Sequence, residues 1–489
     1  MAKSLPQTIG KALLWLVVSL APIVALELIC RKLEPKGTTA HHHALPPITP
    51  KQPGELRVLV YGESTVFGLP EPSVGPVKQL EYWLKKSYPD RAVNVVNLGA
   101  PAVSSAQIAS TLAATVKQQP DVVVLMMGHN EYLLPAVQTS TQRTLQQRSA
   151  LVRRLQRWLA PERLPDTLTP YPRGPEIARR VDAFRTTLTW MVNRAKQETP
   201  NVVLSTVAAN LRDWAPVHRR LVRPDGSTTA AYEALIQPLE DLVMAGKGAE
   251  ARGKIDQALT TYPNDAMLLY LRGKVRLAAG EAEAAHKDFV DAKDLDPYPW
   301  RALSPINDVT REVAKSTGAT LVDLPAIFDQ ESKGSAPGFD FFADNCHPTP
   351  EGASVIAAAL TRTVARLVPE GFKPALDAVP QPAEAFLADA KFKGSHTEVQ
   401  TLLGDACYAM KLPFFDWVTS RTYLDRAAKI EPGNWEVWAN LATISLLEGK
   451  MDEGKSELDK AKTLKGASLL PVDRAKTPYL GEALRQAGL

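Results

Sequence analysis

The chain has little cysteine. Cys30, Cys346 and Cys407 are the only three in 489 residues. That number excludes a disulfide framework and a cysteine-built metal cluster. It leaves open a single Cys346–Cys407 bridge in an oxidising compartment. Runs of lysine and arginine are also missing, as are basic stripes interleaved with aromatics, and the net charge is only +4. Nucleic acid is therefore not an expected partner. No HExxH, CxxC or phosphate-binding glycine loop occurs. Neither metal nor nucleotide is implied, and no cofactor is expected.

What remains is a globular composition, with 45% apolar and 22% charged residues. The length exceeds one ordinary core and predicts two or three domains. Near the N-terminus, "ALLWLVVSLAPIVALELIC" (Ala12 to Cys30) is almost wholly apolar and long enough to span a membrane. Lys3 and Lys11 precede it, as in a signal anchor. Bulky Glu27-Leu28-Ile29 before Cys30 argue against cleavage at a small-residue site. Arg31, Lys32 and Lys36 follow, so charge counting does not set orientation. The expectation is an uncleaved single-pass anchor over 1–32, with the rest exported to the cell envelope. The alternative is a buried helix of a soluble protein. Residues 33–54 read as a proline-rich linker, "LPPITPKQPG" ending it. His41, His42 and His43 lie there without a scaffold and read as a solvated tract.

From Leu56 apolar runs alternate with amphipathic ones. "LRVLVY", "AVNVVN", "DVVVLMM", "NVVLSTV" and "ATLVDL" predict five strands, with helices between them. That alternation predicts a parallel sheet covered on both faces. Between the fourth and fifth strands the pattern changes. Ala251, Ile255, Ala258 and Pro263 recur 34 residues later as Ala285, Phe289, Ala292 and Pro297. Small residues at a helix crossing, with a terminal proline, resemble the tetratricopeptide pattern. Leu424 and Ala427 recur as Leu458 and Ala461 at the same spacing. Generic helical hairpins are the alternative. The domains expected are α/β core over 55–227 and 301–372, a helical insert over 228–300, and a C-terminal helical region over 373–489.

Four strand ends carry chemistry. Gly62-Glu63-Ser64 follows the first strand, Asn97-Leu98-Gly99 ends the second, and Gly128-His129-Asn130-Glu131 follows the third. After the fifth comes "FFADNCHPTPEG", with Asp344 and His347. In a parallel sheet these turns open on one edge, where such sheets bind ligands. Read alone, Ser64 is as well an N-cap as a nucleophile. Read together, the four supply an acyl-transfer site. Ser64 needs a base within hydrogen-bond reach, and His347 can be that base. Asp344 can set the imidazole's tautomer and orientation. The amides of Ser64 and Gly99 and the Asn130 carboxamide can hold an oxyanion, each donor typically worth about 3 kcal/mol.

These four blocks, in this order, resemble the SGNH or GDSL-type hydrolases. The resemblance covers roughly residues 55–370 apart from the helical insert. It implies a three-layer α/β/α sandwich with a five-stranded parallel sheet. It implies Ser64 as nucleophile, His347 as base, Asp344 as its partner, and an oxyanion site from Ser64, Gly99 and Asn130. One departure is Glu63, where the family has Asp, which puts the hydrogen bonding of that turn in question. Outside the blocks, Arg212 could bind an anionic group and Trp214 could line a pocket; a carboxylate partner and plain packing are the alternatives. His129 reads as a packed neighbour of Asn130, and Glu131 as a cap for the helix after it. Cys346, beside His347 in sequence, has no sign of thiolate stabilisation.

Three functions follow. The first is a membrane-anchored serine esterase of the cell envelope, removing O-acyl groups from a glycan or lipid. The second is an O-acetyltransferase that passes the acyl group to an envelope polysaccharide. The third is a scaffold whose repeats bind a partner protein, with the hydrolase core secondary.

Overall fold

A computed structural model describes residues 46–132, 174–216, 229–391, 396–411, 417–469, 476–477 and 479–489, with isolated positions elsewhere. The apolar run Ala12–Cys30 and the three adjacent histidines fall almost wholly outside these residues. Among the described residues no helix is long and apolar enough to cross a membrane. Residues 46–134 and 166–489 form one compact unit.

The five strands form where the apolar runs predict them: β1 (Leu56–Gly62), β2 (Val93–Gly99), β3 (Val122–Met126), β4 (Val202–Ser205) and β5 (Thr320–Val322). All neighbouring pairs are parallel, in the order β2-β1-β3-β4-β5. Every residue of β1, β3 and β4 is buried. This explains why they read as unbroken apolar runs rather than as alternating ones. In this order the connection leaves β1 in one direction for β2 and returns to β3 on the other side. The reversal opens a crevice between the β1 and β3 ends.

The helices have local causes. After β1 the short α1 (Ser64–Phe67) forms, then α2 (Pro76–Ser87) with proline at its first position. A capping box of Ser104 and Gln107 starts α3 (Ser105–Thr115). Beyond β3 the long α4 (Pro175–Ala195) precedes β4. The helical region between β4 and β5 runs through α5 (Thr229–Met244), α6 (Gly248–Thr261), α7 (Ala266–Ala278) and α8 (Ala282–Leu295). Next come α9 (Ser304–Thr317), then α10 (Leu324–Glu331) after β5, and α11 (Pro350–Leu367), capped by Thr349. Helices α2 and α11 pack together, and α4 packs against both α3 and α9. The two groups make the outer layers of an α/β/α sandwich.

The insert has its own apolar cluster, built on Ala251, Ile255, Ala285, Phe289 and Ala292. Of the residues spaced 34 apart, these five are buried together, Ala258 is half-buried against them, and Pro263 is exposed. The chain ends in α12 (Pro382–Asp389), α13 (His396–Lys411), α14 (Trp417–Ile430), α15 (Trp435–Leu447), α16 (Met451–Lys465) and α17 (Leu480–Gln486). Helix α12 returns to the core: Phe386 packs edge-on to Tyr82 at 5.1 Å, and the Tyr82 hydroxyl donates to Asp389 at 2.6 Å. The α/β core therefore continues past residue 372. Cys346 and Cys407 are both buried and neither is part of a disulfide, so the bridge between them is absent.

Candidate active site

Ser64 opens α1. It is the first helical residue, not the cap; Glu63 occupies the cap position. The Ser64 N–H, at a helix start, has no intrahelical acceptor. Its hydroxyl lies 2.7 Å from Nε2 of His347. On the other side of the ring, Nδ1 hydrogen-bonds the Asp344 carboxylate. The second Asp344 oxygen accepts the N–H groups of Cys346 at 2.8 Å and His347 at 2.7 Å. Burial pushes the Asp344 carboxyl up, but His347 and the two N–H donors outweigh it and hold the group below its ordinary value. A serine, an imidazole and an ionised carboxylate are thus in line.

Close backbone approach puts Ser64 there. A Cβ on Gly62 would lie 2.2 Å from the Met126 carbonyl, so only glycine lets β1 turn against β3. Glu63, fully buried, reaches across the crevice. Its carboxylate accepts the His129 N–H at 2.9 Å and the Asn130 N–H at 3.1 Å. Burial, with Glu131 nearby, pushes its pKa up to about 8. The hydrogen bonding put in question by Glu63 is therefore made, with the longer side chain reaching both N–H groups. Glu63 therefore fixes the turn carrying Asn130 to the turn carrying Ser64.

Asn130 spends one side-chain N–H on the Val103 carbonyl, at 2.9 Å. Its carboxamide carries a second. Gly99 is a correction. Its N–H donates to the Asn97 side chain at 3.0 Å, so it is not an available oxyanion donor. What requires glycine here is packing: a Cβ would meet the Phe67 nitrogen at 2.4 Å. Asn97 also donates to the carbonyls of Val66 and Phe67, tying β2 to the end of α1. In the loop beyond, Ala102 holds a left-handed backbone with φ 52. The N–H groups of Ala102 and Val103 donate to no partner among the described residues. The sequence signal for this loop was weak, because alanine does not advertise a positive φ.

Arg212 and Trp214 are engaged with neighbouring side chains. The Arg212 guanidinium is spent on Asp213, Ser335 and Asp340, each at 3.0 Å. Trp214 packs in the C-terminal apolar cluster, 5.5 Å from the Tyr423 ring. Both make the structural contacts that the sequence offered as the alternative. Glu131 does cap a helix, but it is α3: its carboxylate accepts the Ser105 N–H at 2.7 Å and hydroxyl at 3.0 Å. His129 is enclosed, and its Nδ1 accepts the Ala302 N–H at 3.2 Å. Burial, then His347, drives its pKa down to about 3, so it stays neutral. Sequence reading also missed Asn210, fully buried just after β4. Its side chain donates to the Asp344 carbonyl at 3.1 Å. A polar residue right after a buried strand was the available signal.

Asp344, Cys346 and His347 each offer a ligand atom within 4.8 Å of the others. The carboxylate and both ring nitrogens already serve each other and Ser64. A cavity of about 210 Å³ lies between insert and core, lined by Val207, His286, Lys293, Asn307 and Arg311. Ser64 and His347 are not among its lining residues.

No family model and no curated protein matches the chain. Among solved structures it is similar to a lipase/acylhydrolase from Enterococcus faecalis, at 15% identity and TM-score 0.32, covering 65% of this chain and 98% of that one. An acetylxylan esterase from Geobacillus stearothermophilus aligns at 13% identity and TM-score 0.32, covering 65% and 97%. An α/β hydrolase from the metagenome of Lake Arreo, Spain, aligns at 15% and TM-score 0.33, covering 64% and 96%.

Proposed function

We propose that the chain is a serine esterase that forms an acyl-enzyme on Ser64. One observation carries this reading: Ser64 Oγ is 2.7 Å from His347 Nε2 while Nδ1 of the same ring is held by Asp344. Ser64 attacks the ester carbonyl and gives its proton to His347. The oxyanion is met by the Ser64 N–H and the second Asn130 side-chain N–H. The intermediate collapses, His347 protonates the departing alcohol oxygen, and the acyl group stays on Ser64. Water, losing its proton to His347, then attacks the acyl carbon and frees the acid. Ser64 is 9% exposed and the His347 side chain 18%, so a substrate reaches them from solvent.

The finer reading is an O-acyl ester on an envelope glycan or lipid, with the chain anchored through residues 12–30. It is supported by the apolar run and its flanking lysines. It predicts that the full chain fractionates with membranes and that removal of residues 1–32 releases it.

The direct test uses p-nitrophenyl acetate and a serine-directed phosphonate on the full chain. Turnover, and covalent labelling lost in Ser64→Ala, is the expected result. A folded protein that neither turns over nor labels would rule the esterase out. Acetyl transfer to an added oligosaccharide in excess of hydrolysis would move the assignment to the transferase.

A further inference from the structure

The segment that returns the chain from the insert to the core is Trp300-Arg301-Ala302. Each of its three residues is bonded to a different loop at the active-site edge. The Trp300 carbonyl accepts from the Asn345 side chain at 2.6 Å. Asn345 is the residue after Asp344. Arg301 donates through Nη1 to the Asn210 carbonyl at 2.7 Å and the Trp214 carbonyl at 3.0 Å. Asn210 in turn holds the catalytic loop twice: its N–H donates to the Asn345 carbonyl at 3.0 Å and its side chain to the Asp344 carbonyl at 3.1 Å. The Ala302 N–H donates to His129, next to Asn130.

Arg301 is 2% exposed, and its carboxylate partner is the buried Asp296 at the end of α8, 3.4 Å away. A buried guanidinium is expensive to keep. Here it is kept where the insert ends and the core resumes. Asp296 belongs to the insert; Asn210, Asn345 and His129 belong to the core loops.

We propose that Trp300–Ala302 is a positioning strut, with Arg301 its central residue, through which the folded insert sets the geometry of the Asp344–His347 pair. This rests on the esterase reading, under which that pair is the catalytic base and its partner. The three residues take no chemical step. They act through Asn210, Asn345 and His129. A displacement of about 1 Å at a base is enough to cost ~10²-fold in rate, so a strut can matter without chemistry of its own.

The test is Arg301→Met and Asn345→Ala in the full chain, with Arg301→Lys as the conservative variant. Arg301→Met is expected to lower kcat by ~10²-fold with KM within about threefold, while Arg301→Lys recovers part of the loss. The double variant Arg301→Met/Asn345→Ala is expected to lose far less than the product of the two single losses, because both release the same loop. Independently of activity, hydrogen exchange at the Cys346 and His347 amides should quicken in Arg301→Met while the β3 amides stay protected. A folded Arg301→Met with wild-type kcat and unchanged exchange at these amides overturns the strut. If Arg301→Met does not fold, Asn345→Ala decides by the same two readouts. A wild type without turnover or labelling defeats the esterase reading instead, and the exchange measurement still judges the strut.

Discussion

Ser64 Oγ and His347 Nε2 stand 2.7 Å apart although 283 positions separate them in sequence. The pair joins the turn after β1 to the loop before α11. That loop is braced at both ends, by the Asp344 carboxylate on its own N–H groups and by Asn210 on its carbonyls. The hydroxyl therefore meets an imidazole whose position is set before substrate arrives.

Ser64→Ala and His347→Ala should each lower kcat/KM by roughly 10⁴–10⁶-fold, and the double variant should be hardly worse than either. Residues that act as a unit behave this way. Steady-state kinetics on an activated ester measures it. Independent, multiplying losses would show that the two do not share one step.

Cys346→Ala should leave kcat/KM within about threefold of wild type, since the thiol is enclosed and Ser64 holds the nucleophile's place. Labelling with the phosphonate should be retained. A loss equal to that of Ser64→Ala would transfer the nucleophile's role to the thiol.

His129 makes stability depend on pH in the mildly acid range. Its folded pKa of about 3 lies below the ordinary 6.5, so burial keeps the ring neutral. Its contribution is full above pH 6.5 and is lost as pH falls from there toward 3, because only the unfolded chain takes up the proton. Between pH 7 and 5 this loss opposes the gain from Glu63, so the change in urea midpoint on going from pH 7 to pH 5 should be less favourable in wild type than in His129→Gln, whose side-chain oxygen can still accept the Ala302 N–H. Asp344, held below 3.8, loses its contribution only at lower pH and does not confuse the comparison.

Glu63 acts with the opposite sign. Its folded value of about 8 lies above the ordinary 4.5. Its contribution is full below pH 4.5 and is lost as pH rises through about 8. Glu63→Ala strands the buried N–H groups of His129 and Asn130 and should cost about 2 kcal/mol at pH 5. The cost should shrink at pH 8, where wild type is itself weakened. Equal costs at the two pH values would contradict a buried carboxyl that resists ionisation.

By itself the sequence determined the sheet and the four blocks at its edge. The apolar runs of β1, β3 and β4 were buried on both faces, and a parallel sheet turns all its strand ends to one side, so Ser64, Asn130 and His347 had to share an edge. Tertiary structure alone decided which polar atoms were left free there. Gly99 lost its N–H to Asn97 two residues away, Arg212 was spent on Asp213 and Asp340, and Trp214 went to Tyr423. Glu63, His129 and Arg301 acquired their roles from partners far along the chain. The reason is physical: hydrophobic burial follows local pattern and is non-directional, whereas a hydrogen bond depends on where two loops place a donor and an acceptor within about 3 Å.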